Sequence, residues 1–316
     1  MQRIISPIPR SELEKELTPD KFVRKTNNGN KEVYIFTHHD SPMLMREVGR
    51  LREITFRVAG GGTGKEIDID EYDLSDDPYK QLIVWDPEEK EILGGYRFYC
   101  CMKSKNDPSA VSRLATSSLF DYSGKFISEY FPHLVELGRS FVQPSYQSTS
   151  GSRKGLFALD NLWDGLGALV VDNPEIRYFF GKVTMYPQFN KEGRDMILYF
   201  LEKHFKDHEN LVVPKEPLEL DWDKEQLAAL FNGKTYLDDY KILSQQVRAR
   251  GENIPPLINA YMNLSPTMKT FGTVISKDFG YVQETGIMIT LKDMYISKVN
   301  RHLATYRKDY QIPSDY

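Results

Sequence analysis

Charged side chains stand inside apolar segments in the first half of the chain. Glu136 is flanked by Val135 and Leu137, which reduce its contact with water. Burial disfavours the charged form of a carboxylate and raises its pKa, which suits a group that accepts a proton near neutral pH. We therefore interpret Glu136 as a candidate general base or amine-binding group. A structural ion pair with Arg139 or Arg97 also explains this residue and stays open.

Three arginines accompany this carboxylate, namely Arg52, Arg97 and Arg139. A guanidinium group is planar and holds both oxygens of a carboxylate, so these side chains are candidates for binding a substrate carboxylate. Scaffolding alone explains Arg52, Asp70 and Asp73 as well, because paired ions also serve structure.

Two further patterns resemble ligand sites and fail on spacing. Residues 60–65 lack the first glycine of a phosphate loop, and Glu66 stands where a hydroxyl group must reach Mg²⁺. The acidic run that follows does not match a calcium loop, because Asp73 occupies the glycine position and Tyr79 the final glutamate position. We interpret this run, including Asp68, as a solvated loop. The sequence predicts no metal site.

The composition is that of an ordinary folded protein. The 316 residues are 40% hydrophobic and 27% charged, with 45 acidic and 41 basic side chains and a formal net charge of −4. This balance argues against a nucleic-acid-binding protein, which needs an excess of Lys and Arg. Adjacent Cys100 and Cys101 indicate a reducing compartment. No signal peptide and no window of roughly 20 apolar residues is found, so we expect a cytoplasmic protein.

Hydrophobic periodicity places these residues on an alternating series of strands and helices. Strands are predicted at residues 32–36, 82–85, 92–101, 134–142, 178–185 and 286–291. Helices are predicted from residue 42, over 156–170 and 190–205, and from residue 255. This order predicts one α/β domain with a mixed central sheet flanked by helices. We place the domain at 31–295, with an N-terminal extension at 1–30, a polar helical insertion at about 220–250 and a C-terminal tail at 296–316.

Four polar motifs occur in an order that resembles a known superfamily. They are Leu51-Arg52-Glu53-Ile54-Thr55-Phe56, Asp70-Glu71-Tyr72-Asp73, Gly94-Gly95-Tyr96-Arg97 and Glu136-Leu137-Gly138-Arg139-Ser140. Together they resemble the long-chain branch of the GNAT acyltransferase superfamily, which contains ornithine-lipid and other N-acyl amino acid synthases and is often labelled hemolysin-like. The acyl-homoserine lactone synthases are a more distant resemblance. The similarity covers roughly residues 40–292.

The resemblance implies a GNAT fold and an N-acyltransferase that moves a long, 3-hydroxylated fatty acyl group to the α-amine of an amino acid in lipid biosynthesis. It implies a catalytic set of Glu136, Arg139 and Phe141, with a β-bulge that turns a backbone N–H near Phe141 towards the thioester oxygen. Substrate binding is assigned to Arg52, Phe56, Asp70, Asp73, Arg97 and Ser140. The arginines and aspartates are expected to form a buried ion network, and Phe56 is expected to pack rather than to react.

The donor site departs from the wider superfamily. GNAT enzymes place an Arg or Gln and a glycine-rich turn before a helix to bind the pyrophosphate of coenzyme A, whereas this chain has Ser152-Arg153-Lys154-Gly155. Acyl carrier protein is acidic and brings its own phosphopantetheine arm, so we expect it as the donor, bound by Arg153, Lys154 and Gly155. A solvated helix start explains the two basic residues as well. No cofactor is expected beyond a thioester of acyl carrier protein or coenzyme A.

The acceptor is predicted from missing carboxylates. Ser276 and Gly286 stand where ornithine-lipid enzymes are expected to be acidic, which favours glycine or another small neutral amino acid over ornithine.

The product leads to a further expectation about membranes. A single-chain product partitions only moderately into a bilayer, so we expect transient contact with a membrane surface. The candidate exit surface is Phe126, Tyr130, Phe131 and Leu134, for which core packing is the alternative. Two other functions stay open, an acetyl-CoA-dependent N-acetyltransferase and a non-catalytic lipid-binding or membrane-binding protein.

Overall fold

The apolar runs of the sequence form strands, because β-branched and aromatic side chains pack well on a pleated surface. The structure, a computed structural model, describes residues 1–147, 155 and 157–307. The strands in these ranges are β1 (Phe22–Lys25), β2 (Glu32–Phe36), β3 (Lys80–Asp86), β4 (Glu91–Cys100), β5 (Phe120–Tyr122), β6 (Leu134–Val142), β7 (Tyr178–Met185), β8 (Val212–Pro214), β9 (Lys269–Ser276) and β10 (Val282–Thr290). The bounds predicted for β6 and β7 are confirmed residue for residue.

Eight of these strands form one mixed sheet, in the order β1-β2-β3-β4-β6-β7-β10-β9, and β5 pairs with β8 separately. Neighbours in the large sheet are antiparallel except β6 and β7, which run parallel. A parallel pair needs a crossover connection, and the helix between β6 and β7 supplies it. The mixed sheet predicted from the sequence is therefore confirmed.

Helices cover both faces of the sheet. They are α1 (Arg10–Glu16), α2 (Pro42–Val58), α3 (Glu71–Leu74), α4 (Ala158–Asp172), α5 (Lys191–Phe205), α6 (Lys224–Leu230), α7 (Tyr236–Ala249), α8 (Pro256–Met262) and α9 (Ile296–His302). Pro42 stands at the start of α2, and the Asn190 side chain caps α5 by accepting the Gly193 N–H at 3.0 Å. Within the described ranges, no helix has both the length and the apolar composition that a bilayer crossing requires.

The alternation of side chains along β3 shows how the two faces are filled. Leu82 and Val84 pack into the cluster that α4 and α5 complete on one face. Ile83 and Trp85 pack into the cluster that α2 completes on the other face, which we call the α2 face. Since both faces are covered, the strand is apolar at consecutive positions rather than at alternate ones.

The strands β6 and β7 separate midway along their length. Their parallel pairing joins residues 134–137 to residues 178–181 and ends there. Beyond Leu137 and Gly181, β6 continues to pair with β4 and β7 with β10. The two strands therefore enclose an opening, which we call the strand gap.

A β-bulge lies in β6 next to the strand gap. Arg97 of β4 is opposite Gly138, and Gly95 is opposite Phe141, so residues 139 and 140 face a single residue of β4. Arg139 adopts φ = 47°, the left-handed region that a bulge residue uses. The bulge implied by the resemblance is confirmed, and it turns the Arg139 side chain out of strict alternation.

Both segments predicted to flank the domain pack against it. β1, within residues 1–30, pairs with β2 and places Arg24 opposite Val33. α9, within residues 296–316, places His302 against α4, where its Nδ1 lies 2.9 Å from Asp164 Oδ1. The predicted insertion forms α6 and α7, and it contributes buried apolar side chains to the core cluster that contains α5.

The aromatic segment before β6 belongs to the core. Phe126, Phe131 and Leu134 are at most 1% exposed. The ring centroids of Phe126 and Phe180 lie 5.4 Å apart within this cluster. The prediction that these residues form an exposed exit surface is therefore wrong, because they fill the space between the sheet and the short strand β5.

The end of the β6–β7 pairing gives a test of the fold. A Cβ on Gly181 would lie 2.4 Å from the carbonyl oxygen of Leu137. We expect Gly181→Ala to lower the free energy of unfolding by about 1–3 kcal/mol, because the strands must move apart. Gly124→Ala is the matched control, since a Cβ there has nothing within 4 Å. Urea unfolding compares the two, and equal stabilities would contradict the close approach.

Candidate active site

A cleft of about 1150 Å³ opens on the α2 face beside the strand gap. Arg97 of β4, Arg139 of β6 and Lys182 of β7 line its floor, and residues 60–65 and 274–280 form its walls. Arg139 and Lys182 stand on the two strands just where these separate. The cleft and the strand gap therefore meet at one place.

Three arginines and three aspartates form an ion network beneath the cleft, as the resemblance implies. Arg52 of α2 is fully buried, and its Nη1 lies 3.3 Å from both carboxylate oxygens of Asp73. Its Nη2 donates to Gln81 Oε1, and Gln81 Nε2 donates to Asp73 Oδ1 at 2.9 Å. Equal numbers of opposite charges keep these buried ions paired, which their desolvation requires.

Arg97 joins the network to the short helix α3. Its Nη1 donates to Asp70 Oδ1 and Oδ2 at 2.7 and 2.8 Å and to Asp73 Oδ2 at 3.2 Å. Asp70 and Asp73 also form a capping box, in which each side chain accepts the backbone N–H of the other residue. The same two carboxylates thus begin α3 and fix it to β4.

Arg139 is the arginine of the network most exposed to the cleft. Its side chain is 14% exposed, against 0% for Arg52 and 3% for Arg97. Its Nε lies 2.9 Å from Asp68 Oδ2, and its Cζ lies 4.1 Å from the ring centroid of Phe279. Asp68 is fully buried. The interpretation of the acidic run as a solvated loop is therefore wrong, because the run folds onto these arginines.

The network holds Asp70 in its ionised form. Burial raises the pKa of this carboxyl group, but Arg97 and Arg139 lower it by more, and the resulting pKa is about 2. Burial also acts to lower the pKa of Arg97, and Asp73 and Asp70 overcome that effect and raise it. Asp70 is consequently a poor proton acceptor at neutral pH, although it lines the cleft.

Glu136 is buried under the cleft wall, and its hydrogen-bonding capacity is filled. Its Oε2 accepts the Ala115 N–H at 2.8 Å and the Tyr79 hydroxyl. Its Oε1 accepts the Thr116 N–H at 3.0 Å and the Thr116 hydroxyl. A carboxylate offers about four acceptor positions, so these four donors occupy them all. The predicted ion pair with an arginine is wrong, because these four groups take its place.

Tyr79 connects Glu136 with the ion network. Burial and the neighbouring Glu136 raise the pKa of the Tyr79 phenol well above its ordinary value, which keeps it a hydrogen-bond donor. The Tyr79 ring centroid lies 5.2 Å from Arg97 Cζ. Tyr79 thus lies between Glu136 and the ion network. Glu136 itself fixes the turn at Ala115, which lines the cleft.

The remaining predicted residues of β6 and α2 lie around the network. Phe56 is 6% exposed and meets Phe279 edge to face, with ring centroids 5.1 Å apart. Phe141 is 4% exposed in the same cluster, and Ser140 is half-buried in the bulge. The prediction that Phe56 packs is confirmed.

The predicted carrier-binding residues are only partly described. Arg153 and Lys154 lie outside the described residues. Gly155 approaches Tyr146 so closely that a Cβ would lie 1.6 Å from the Tyr146 carbonyl oxygen. This position therefore requires glycine.

The loop at residues 60–65 folds around a carboxylate. Glu53 is fully buried and accepts the Thr63 N–H at 3.0 Å, the Thr63 hydroxyl at 2.8 Å and the Gly64 N–H at 2.8 Å. These N–H groups are used within the protein, so they do not form a phosphate cradle. Among the described residues, no three His, Cys, Asp or Glu side chains are arranged to hold a metal ion.

A second cavity of about 540 Å³ lies between α5 and β9. Trp222, Thr273 and Thr285 line it, and the ion network contributes nothing to it. Thr273 precedes Val274, which lines the larger cleft, and adjacent residues of a strand point to opposite faces. We place the candidate site in the larger cleft, because the network and the strand gap meet there.

Comparisons with known proteins show which family the chain belongs to. The family model described as an acetyltransferase (GNAT) domain matches residues 51–154. A curated glycine N(alpha)-acyltransferase of Bacteroides thetaiotaomicron is 56% identical over 306 residues, which are 97% of this chain and 91% of that protein. A curated protein of the same name from Phocaeicola vulgatus is 54% identical over 310 residues, 98% of this chain and 95% of that protein.

Solved structures give a weaker match. A CoA-dependent acyl-homoserine lactone synthase, BjaI, aligns with a TM-score of 0.31 and 16% identity, over 49% of this chain and 67% of that chain. The curated relatives carry the assignment, and the chain belongs to their family of N-acyltransferases within the GNAT superfamily. The alternative of a non-catalytic binding protein is therefore excluded.

Removal of the Glu136 charge tests whether this residue fixes the wall or accepts a proton. In Glu136→Gln, the amide NH₂ group would face donors, so we expect the free energy of unfolding to fall by about 1–3 kcal/mol. The pH dependence of acyl transfer should stay that of the wild type. Exposed Glu129→Gln is the control. A variant of full stability that has lost the acidic limb of its pH profile would instead make Glu136 the base.

Asp70 gives the network a predictable dependence on pH. Its pKa in the folded protein, about 2, lies below its ordinary value of 3.8, so its contribution to stability is present above about pH 4 and is lost as the pH falls through 2. We expect Asp70→Asn to cost about 2 kcal/mol at pH 7. The difference from the wild type should shrink between about pH 4 and 2. A difference that is independent of pH would contradict the pairing.

Proposed function

We propose that this N-acyltransferase moves a long, 3-hydroxylated fatty acyl group from the thioester of acyl carrier protein to the α-amine of glycine, as a step of lipid biosynthesis. The observation that carries the acceptor is the similarity to two curated glycine N(alpha)-acyltransferases along nearly the whole chain. The hydroxyl group, the carrier protein and the lipid pathway come from the motif resemblance described above.

The charge of the cleft supports an anionic acceptor. Seven basic and four acidic side chains line it, although the chain as a whole carries a formal charge of −4. Buried carboxylates balance several of these cations, so the cations that face the cleft act as charged hydrogen-bond donors rather than as a net positive field. The free carboxylate of an amino acid can accept from such donors, whereas a simple amine offers no carboxylate to them.

The strand gap supports the binding of a thioester arm. Beyond residues 137 and 181 the facing edges of β6 and β7 lack each other as partners, so an extended arm can lie between them. A neutral amine in the adjacent cleft then attacks the thioester carbonyl. The C–N bond forms, the C–S bond breaks, and the thiolate that leaves takes up the proton released by nitrogen.

The backbone donor for the thioester oxygen is best assigned next to Phe141. The Gln143 N–H donates to the Leu93 carbonyl at 3.0 Å, so every second residue of this stretch points its N–H towards β4. Phe141 shares this direction. Val142 has the opposite one, towards the gap, and its carbonyl accepts from Gln147 Nε2 at 2.7 Å. We therefore assign the oxyanion donor to the Val142 N–H.

The ammonium form of the acceptor must lose a proton before it attacks. Asp70 holds a proton only near its pKa of about 2. Glu136 has no acceptor position left for an amine. The α-amine of a peptide titrates near pH 8, and that of a free amino acid is more basic because of the adjacent carboxylate, so only a small fraction is neutral in water at physiological pH. The proposal therefore leaves this proton to water in the cleft and gives Glu136 a positioning role.

Glycine is favoured over ornithine by the charges in the late strands. Ser276 lines the cleft without a charge, and a side chain at Gly286 would meet the Phe120 ring at 3.2 Å. Glu284, two residues before Gly286, already pairs with Lys182 at 3.1 Å. This carboxylate is therefore not free to pair with the ammonium group of an ornithine side chain.

A donor and acceptor screen tests the proposed function. Purified protein is incubated with 3-hydroxyacyl and unsubstituted acyl carrier protein, the matching acyl-CoA, or acetyl-CoA, each with glycine or ornithine, and the products are identified by mass spectrometry. We expect N-(3-hydroxyacyl)glycine from the carrier-bound donor. Turnover of acetyl-CoA alone would favour the short-chain alternative, and acylornithine as the main product would contradict the acceptor.

The donor is tested separately at the two predicted carrier contacts. Arg153→Glu with Lys154→Glu should raise the KM for acyl carrier protein at least about tenfold, since reversal of two rim charges weakens a docked acidic partner. The KM for a short acyl-pantetheine thioester should stay unchanged. Equal effects on both donors would contradict carrier docking at these residues.

A further inference from the structure

Lys182 occupies a distinctive place in the cleft. It is the first residue of β7 after its pairing with β6 ends, and its side chain lines the cleft floor with 17% of its surface exposed. Its backbone therefore stands where the strand gap begins, and its side chain lines the cleft next to the position proposed for the thioester.

The partner of Lys182 is a buried carboxylate that is incompletely satisfied. Glu284 of β10 is 1% exposed, and its Oε2 lies 3.1 Å from Lys182 Nζ. Its Oε1 has a long contact of 3.4 Å with the Thr184 hydroxyl, and Oε2 receives no hydrogen bond of good geometry. Glu284 thus holds the lysine side chain in place. The ammonium group has three N–H donors, so it keeps donors for a group in the cleft.

Three other cations of the cleft are already engaged. Arg97 gives its Nη1 to two aspartates, and Arg139 is paired with Asp68 and lies over Phe279. Lys277 pairs with a carboxylate at the exposed mouth of the cleft, at 2.8 Å. Lys182 and Arg139 both combine a buried carboxylate partner with a position beside the strand gap, and Lys182 differs in that its ammonium group keeps donors that its single carboxylate does not use.

We propose that Lys182 binds the carboxylate of the acceptor amino acid and so selects α-amino acids over simple amines, a role that rests on the proposed function. In an α-amino acid a single carbon joins the carboxylate to the amine. A carboxylate held on Lys182 therefore keeps the amine within reach of a thioester in the strand gap, which supplies the orientation that the reaction needs. Glu284 is a positioning residue, because it acts through Lys182.

Equilibrium binding of product analogues tests this assignment without relying on turnover. N-dodecanoylglycine and N-dodecanoylglycinamide differ only in the carboxylate, and calorimetry gives the Kd of each. We expect the wild type to bind the acid at least about tenfold more tightly than the amide, as a charge-assisted hydrogen bond permits. Lys182→Gln should remove this preference by weakening acid binding, and Lys182→Arg should retain part of it.

Two further variants keep the test decisive. Lys182→Met combined with Glu284→Gln removes both charges, so no buried carboxylate is left unpaired, and it should show the same loss of preference in a folded protein. Lys277→Gln removes an equal charge from the mouth of the cleft and should leave the preference intact.

Three outcomes would overturn the assignment. They are a wild type without a preference for the acid, Lys182 variants that keep the preference, and an equal loss in Lys277→Gln. Failure of the proposed function is a separate result, because it appears as absent or different turnover in the mass-spectrometric screen. In that case a retained preference for the acid would still support Lys182 as the anion site.

Discussion

The pairing of two buried arginines and the partly exposed Arg139 with three aspartates is the constraint on which the rest of the site depends. The loss of one partner from a buried pair costs about 3–5 kcal/mol, because the other charge stays desolvated. Arg52 brings α2 to α3, Arg97 brings α3 to β4, and Arg139 brings the bulge of β6 to Asp68. These ion pairs therefore fix the relative positions of α2, α3, β4 and the bulge of β6, and these positions determine the shape of the cleft floor.

The site lies where the pairing between β6 and β7 ends. Hydrogen bonding across β6 and β7 ends at residues 137 and 181, and the bulge beside it directs Arg139 into the cleft. An opening inside a sheet leaves backbone groups for a ligand, and the rigid strands on both sides position it. Lys182 and Arg139 stand on opposite sides of this opening, and in the proposed function the thioester and the acceptor meet between them.

Much of the fold could be predicted because apolar periodicity records burial, as the bounds of β6 and β7 show. The strand β9 was not predicted, because Gly272, at φ = 83°, interrupts its apolar pattern. The hydrogen-bond and ion-pair partners of the buried charges could not be predicted from the sequence either. Arg139 meets Asp68 across 71 positions of sequence, and Glu136 meets two hydroxyl groups and two backbone N–H groups. Sequence indicates that a charge is buried, but tertiary structure decides which group satisfies it.

The most direct test of the account is a crystal structure of the protein with bound N-acylglycine. The account predicts that the amide carbonyl lies in the strand gap near the Val142 N–H, with the glycine carboxylate within hydrogen-bonding distance of Lys182 Nζ. Binding of the product in the cavity beside Trp222, with the strand gap empty, would contradict it.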